Sequence, residues 1–104
     1  MNSKKASVDI LIPTYNRDEY IEQCIDSILN QTFKDIKIII YDDGSTDRTK
    51  QIIEYYQKFH SNIQYIRGIK NRGVSFARNM LLESSTADYI AWQDSDDISS
   101  PDRI

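Results

Sequence analysis

Along this chain short β-branched runs alternate with apolar residues at helical spacing, and that alternation predicts the order of its elements. Residues 8–12 read Val-Asp-Ile-Leu-Ile and meet Pro13, which has no N–H to give a sheet, so a buried strand is expected to end there. Asn16 and Glu19 have the spacing of a capping box, and Ile21, Cys24, Ile25, Ile28 and Leu29 then share one face of a helix running to about Gln31. A nearly continuous apolar run, Ile36, Ile38, Ile39, Ile40 and Tyr41, suits a parallel strand covered on both faces and ending at Asp42. Gly44 and the hydroxyls of Ser45 and Thr46 supply a turn and capping groups, after which Ile52, Ile53, Tyr56 and Phe59 mark a second amphipathic helix ending near His60.

Residues 62–67 read as a short third strand, Asn71-Arg72-Gly73 punctuates the chain, and Val74, Ala77 and Leu81 set out a third helical stripe. Residues 89–92 form a fourth strand running into Gln93-Asp94-Ser95-Asp96-Asp97, and Ser99-Ser100-Pro101 then opens a further helix that is cut short at Ile104. The predicted fold class is α/β: a Rossmann-like parallel sheet of about four strands with helices on both faces, assembled from right-handed βαβ units. Residues 1–7 are a tail and residues 8–104 a single unit, without internal repeats or low-complexity linkers.

Composition changes this picture mainly by exclusion. A chain that is 39% hydrophobic and 28% charged is ordinary for a soluble globular domain, and no run is long enough to span a membrane. The apolar stretch after residues 1–7 is too short for a secretory signal, so a cytoplasmic location is expected, with peripheral membrane attachment of a longer protein compatible. The net charge of −3 argues against a nucleic-acid partner. Cys24 stands alone within a helical stripe, which excludes a disulfide framework and reads as a buried structural thiol.

In open α/β sheets ligands bind beyond the carboxyl ends of the strands. Those ends carry Pro13-Thr14-Tyr15-Asn16-Arg17, Asp42-Asp43-Gly44-Ser45 and Asp94-Ser95-Asp96-Asp97, so five carboxylates are expected at one edge. Two like charges roughly 4 Å apart repel by about 4 kcal/mol at an effective dielectric near 20, so converging acids need a compensating charge. Oxygen ligands without nearby histidine or cysteine favour a hard cation, Mg²⁺ or Mn²⁺, which in turn seeks phosphate oxygens. Asp18 and Asp47 are assigned instead to caps and turns, where an isolated acid after a strand is commonest.

Taken in order, Pro13-Thr14-Tyr15-Asn16-Arg17, Ser27-Ile28-Leu29-Asn30-Gln31-Thr32, Asp42-Asp43-Gly44-Ser45-Thr46-Asp47, Asn71-Arg72-Gly73 with Ala77-Arg78-Asn79, and Asp94-Ser95-Asp96-Asp97 resemble family 2 glycosyltransferases of the GT-A fold. The resemblance implies the N-terminal, nucleotide-sugar-binding half of such an enzyme. It implies that Pro13, Thr14 and Tyr15 line a base pocket, with the Tyr15 ring on uracil, and that Asp43 or Asp42 accepts the hydrogen of a uracil ring nitrogen. Asp96 would bind the metal and Asp94 would share that role or contact the ribose or sugar, while Arg78 would add positive charge at the diphosphate or brace the acids.

The implied reaction is inverting, metal-dependent transfer from a nucleotide-diphosphate donor, most simply a UDP-sugar, to a glycan or lipid-linked acceptor, as in polysaccharide biosynthesis. The general base and acceptor pocket are expected beyond Ile104, so the chain alone is expected to bind donor and transfer no sugar. Two alternatives stand beside this reading. One is a non-catalytic nucleotide-binding or structural fragment; the other is a haloacid-dehalogenase-type phosphatase using Asp94-Ser95-Asp96, which leaves the loops at Tyr15 and Asp42 without a task.

Overall fold

The computed structural model describes residues 6–96, so Asp97 and the helix expected after Pro101 lie outside the described residues. Four parallel strands, β1 (Val8–Thr14), β2 (Ile36–Asp42), β3 (Ile63–Arg67) and β4 (Tyr89–Trp92), form one sheet in the order β3-β2-β1-β4. Three helices connect them: α1 (Ile21–Leu29), α2 (Thr49–Phe59) and α3 (Val74–Ser84). The chain winds from β1 through β2 to the β3 edge, then crosses back to place β4 on the far side of β1. Right-handed crossovers that reverse direction in this way put α1 and α2 on one face and α3 on the other.

The side-chain period of two assigns each strand residue to one of these faces. Ile10, Ile12, Ile38 and Ile40 pack with Ile21, Cys24, Ile25 and Ile28 of α1 and Ile53 of α2. Leu11, Ile39 and Tyr41 pack with Ala77 and Leu81 of α3 on the opposite face. Each fully buried Ile or Leu contributes about 1.5–3 kcal/mol relative to an exposed one, so the continuous apolar runs of β1 and β2 are what sandwich the sheet. Among the described residues no helix is long and apolar enough to cross a membrane.

Two local expectations are corrected. β1 does not stop at Pro13 but continues to Thr14, because β4 pairs with β1 only as far as Leu11↔Trp92 and Pro13 faces a strand partner, Tyr41, on one side alone. The capping box at Asn16 does not form either: α1 begins at Ile21 after Tyr20, without a side-chain cap. Asn16 instead reaches across to the segment before α2, where its Oδ1 accepts from the Thr46 and Asp47 amides. Asp47 makes a local turn, its Oδ1 accepting from Thr49 N–H, whereas Asp18 reaches across to the start of α2, its Oδ2 accepting from Arg48 N–H.

Candidate functional site

The reversal of winding direction leaves a crevice where the loops after β1 and β4 part company, and there a cleft of about 430 Å³ opens. Its walls come from the end of β1 (Pro13, Thr14, Tyr15, Arg17), from Asp43 just past β2, from Asn71, Gly73, Val74 and Ala77 at the start of α3, and from Asp94, Ser95 and Asp96 after β4. Asp43 and Asp96 therefore share one cavity, as converging acids at a common rim require.

The two acids of the β2 loop have opposite fates. Asp42 is fully buried, departs from the expected set at the rim, and does not line the cleft. Its Oδ1 accepts from Ser45 N–H at 2.8 Å, its Oδ2 accepts from the Tyr65 hydroxyl at 2.6 Å, and Arg67 Nε lies 3.8 Å from Oδ2. Burial first, and then the bond to Asp42, push the Tyr65 hydroxyl well above the usual phenol range, which keeps it a donor. Asp42 sits at the last position of β2, where its side chain turns under the loop.

Asp43, next in sequence, lies on the cleft wall with its charge already answered by the backbone. Arg72 N–H donates to it at 2.9 Å and Gly73 N–H at 2.8 Å, so the carboxylate sits against the N-terminus of α3, where amides and helix dipole favour an anion. Its own N–H donates to Thr14 O at 2.9 Å, tying the β2 loop to the end of β1. Gly44 follows with φ +83, and a Cβ there would come within 2.8 Å of the Lys70 carbonyl carbon, so a glycine is what lets the two loops meet.

These contacts revise the electrostatic argument from sequence. Asp42 is balanced by Arg67 and Tyr65 and Asp43 by amides, so of the described acids at the strand ends Asp94 and Asp96 are the ones open to a ligand from solvent. Both are exposed on the cleft wall around the buried Ser95. Among the described residues no group of three or more His, Cys, Asp or Glu side chains forms a closed metal cage. Two carboxylates on an open wall fit a hard divalent ion that completes its shell with water and phosphate oxygens, because Mg²⁺-type sites are usually held by one or two carboxylates and the substrate.

Of the remaining expected residues, Pro13, Thr14 and Tyr15 line the cleft, and the buried Thr14 Oγ1 has no hydrogen-bond partner among the described residues. That oxygen is shielded from solvent, so Thr14 meets the cleft through its other atoms. Arg78 does not line the cleft; its guanidinium lies over the Trp92 ring, 5.2 Å from the centroid, two residues before the acidic turn. Sequence reasoning gave no site role to Arg17 or Asn71, which do line it. Arg17 stands two residues past Tyr15 in the same motif, and that proximity was the available signal.

Comparison with known proteins bears on the family and the fold. Residues 9–104 match the family described as "Glycosyl transferase family 2". The chain is 38% identical over 90 residues to glycosyltransferase GlyA of Streptococcus pneumoniae, covering 86% of this chain and 13% of that protein. It is 40% identical over 97 residues to chondroitin synthase of Escherichia coli, covering 93% and 14%. The crystal structure of S. aureus TarS 1-349 in complex with UDP superposes with a TM-score of 0.85 at 29% identity, covering 92% of this chain and 29% of that one. The chain thus spans about one seventh of the length of the first two relatives.

Proposed function

The chain belongs to glycosyl transferase family 2, and from that premise we propose that its cleft binds the nucleotide diphosphate of a sugar donor, a UDP-sugar, for an inverting, metal-assisted transfer to a glycan or lipid-linked acceptor. The observation that carries the reading is the meeting of Tyr15, Asp43, Asp94 and Asp96 in one cavity at the ends of three neighbouring strands. The TarS structure with UDP supports the choice of uracil.

In this reading the Tyr15 ring, 37% exposed on the wall, stacks on the base, and Pro13 and Thr14 complete that side of the pocket. Asp43 accepts from the uracil ring N–H. A carboxylate offers about four acceptor sites and here uses only some of them on Arg72 and Gly73, so capacity remains. Because it can only accept, a base that presents an acceptor there sets two lone pairs against each other in a partly desolvated place, which is the source of base discrimination. The assignment left open between Asp42 and Asp43 goes to Asp43, since both oxygens of Asp42 are engaged beneath the loop.

Asp96 and Asp94 would hold Mn²⁺ or Mg²⁺, which when bound would neutralise charge developing on the departing diphosphate. Arg17, exposed on the same wall, adds positive charge for the phosphates, and Arg78 braces the acidic turn through Trp92. Transfer forms a bond from an acceptor hydroxyl oxygen to the anomeric carbon and breaks the bond from that carbon to the diphosphate, with the hydroxyl proton passing to a base. None of the acids described above is assigned as that base. Calorimetric titration of UDP into the chain with Mn²⁺ tests the reading: binding heat that disappears on chelation is expected, and no heat in either condition overturns it.

A further inference from the structure

We propose that Asn16 is a positioning residue that holds the Tyr15 ring as the platform for the donor base, by clasping the loop after β1 onto the loop after β2. The inference rests on the donor-nucleotide reading of the cleft.

Tyr15 is pinned on both sides to the segment that carries Asp43. On its N-terminal side Thr14 O accepts from Asp43 N–H at 2.9 Å. On its C-terminal side Asn16 N–H donates to Ser45 Oγ at 2.8 Å, and Asn16 Oδ1 accepts from Thr46 N–H at 2.8 Å and, more loosely, from Asp47 N–H at 3.4 Å. The next residues continue the seam: Arg17 N–H donates to Thr49 Oγ1 at 3.0 Å and Asp18 N–H to Asp47 Oδ2 at 3.1 Å. Platform and base-reading carboxylate are thereby built into one unit, so the gap between them does not depend on the ligand to set it.

The chemistry of asparagine suits this place for two separate reasons. Asn16 has φ 50, the single positive value among the described non-glycine residues, and asparagine enters that left-handed region more readily than other chiral residues. Its side chain also offers a short acceptor that reaches two successive amides. Glycine would keep the backbone and lose the acceptor, alanine would lose both, and aspartate would keep both while adding charge beside Asp18 and Asp47.

The test compares UDP with inorganic diphosphate, each titrated with Mn²⁺ into the unaltered chain, Asn16→Gly and Asn16→Asp. Loss of a well-oriented stacking platform lowers affinity by about tenfold, so Asn16→Gly is expected to lose about that much for UDP while diphosphate affinity stays unchanged. Asn16→Asp is expected to recover most of the loss. A general loosening of the fold would weaken both ligands alike, and equal losses, or no loss for UDP, overturn the proposal. If Asn16→Gly does not fold, Ser45→Ala removes the acceptor of Asn16 N–H from the far side of the seam; a UDP-selective loss is again expected, and its absence overturns the proposal. Failure of the unaltered chain to bind UDP appears before any variant is made and removes the functional reading, and this inference with it.

Discussion

Replacing Asp42 separates the value of its lone pairs from the value of its charge. In Asp42→Ala the buried Ser45 amide loses its acceptor, at a cost of about 1–3 kcal/mol, and the half-buried Tyr65 hydroxyl loses its partner for about 1 kcal/mol more. Arg67 is 38% exposed and can rehydrate, so its lost ion pair adds little, and the expected total is roughly 3 kcal/mol. In Asp42→Asn an oxygen still faces Ser45 N–H and the new NH₂ donates to the Tyr65 oxygen, leaving a cost of about 1 kcal/mol. Against a typical domain stability of about 5–15 kcal/mol, the first change is large and the second tolerable. Urea unfolding at constant m-value measures both, and each kcal/mol moves the melting temperature by about 4–8 °C at this chain length. If Asn proves as damaging as Ala, the charge rather than the hydrogen-bond geometry holds the loop, and the reasoning fails.

Three further outcomes are expected. Gly44→Ala combines a left-handed backbone at φ +83 with a Cβ 2.8 Å from the Lys70 backbone, and should lower stability by at least about 2 kcal/mol in the same unfolding assay. Burial alone would raise the Asp47 carboxyl, but bonds from Thr49 and Asp18 outweigh it and hold it below the usual range. A lowered folded-state value means stability that is present above about pH 4 and lost as pH falls through that lower value, so the deficit of Asp47→Asn should be clear at pH 7 and close in strong acid. Asp96→Asn should make the affinity for UDP the same with Mn²⁺ as with chelator, while leaving the metal-free affinity unchanged; persistent metal enhancement would remove Asp96 as a ligand.

The sheet and its helices were legible because Ile10, Ile12, Ile38 and Ile40 on one face and Leu11 and Ile39 on the other leave β1 and β2 no exposed side, and that requirement is local in sequence. Strand order was not, since nothing in a single βαβ unit says that β4 returns to lie beside β1. The gathering of Tyr15, Asp43, Asp94 and Asp96 followed from the rule that loops at strand ends share an edge. What the rule missed was which acids are already satisfied. Asp42 and Asp43 are neighbours of identical type, and only the long-range partners Tyr65, Arg67, Arg72 and Gly73 distinguish a buried brace from a wall residue. Asn16 was misread for the same reason: its capping spacing to Glu19 is local, whereas its true partners lie about thirty residues away.

The most direct test of the donor-site reading is diffraction from crystals grown with UDP and Mn²⁺, recorded to locate manganese by its anomalous signal. Uracil should lie on the Tyr15 ring with its ring N–H toward Asp43, and the manganese peak should fall between Asp96 and the diphosphate. A nucleotide seated outside the cleft, or manganese bound away from Asp94 and Asp96, would contradict it.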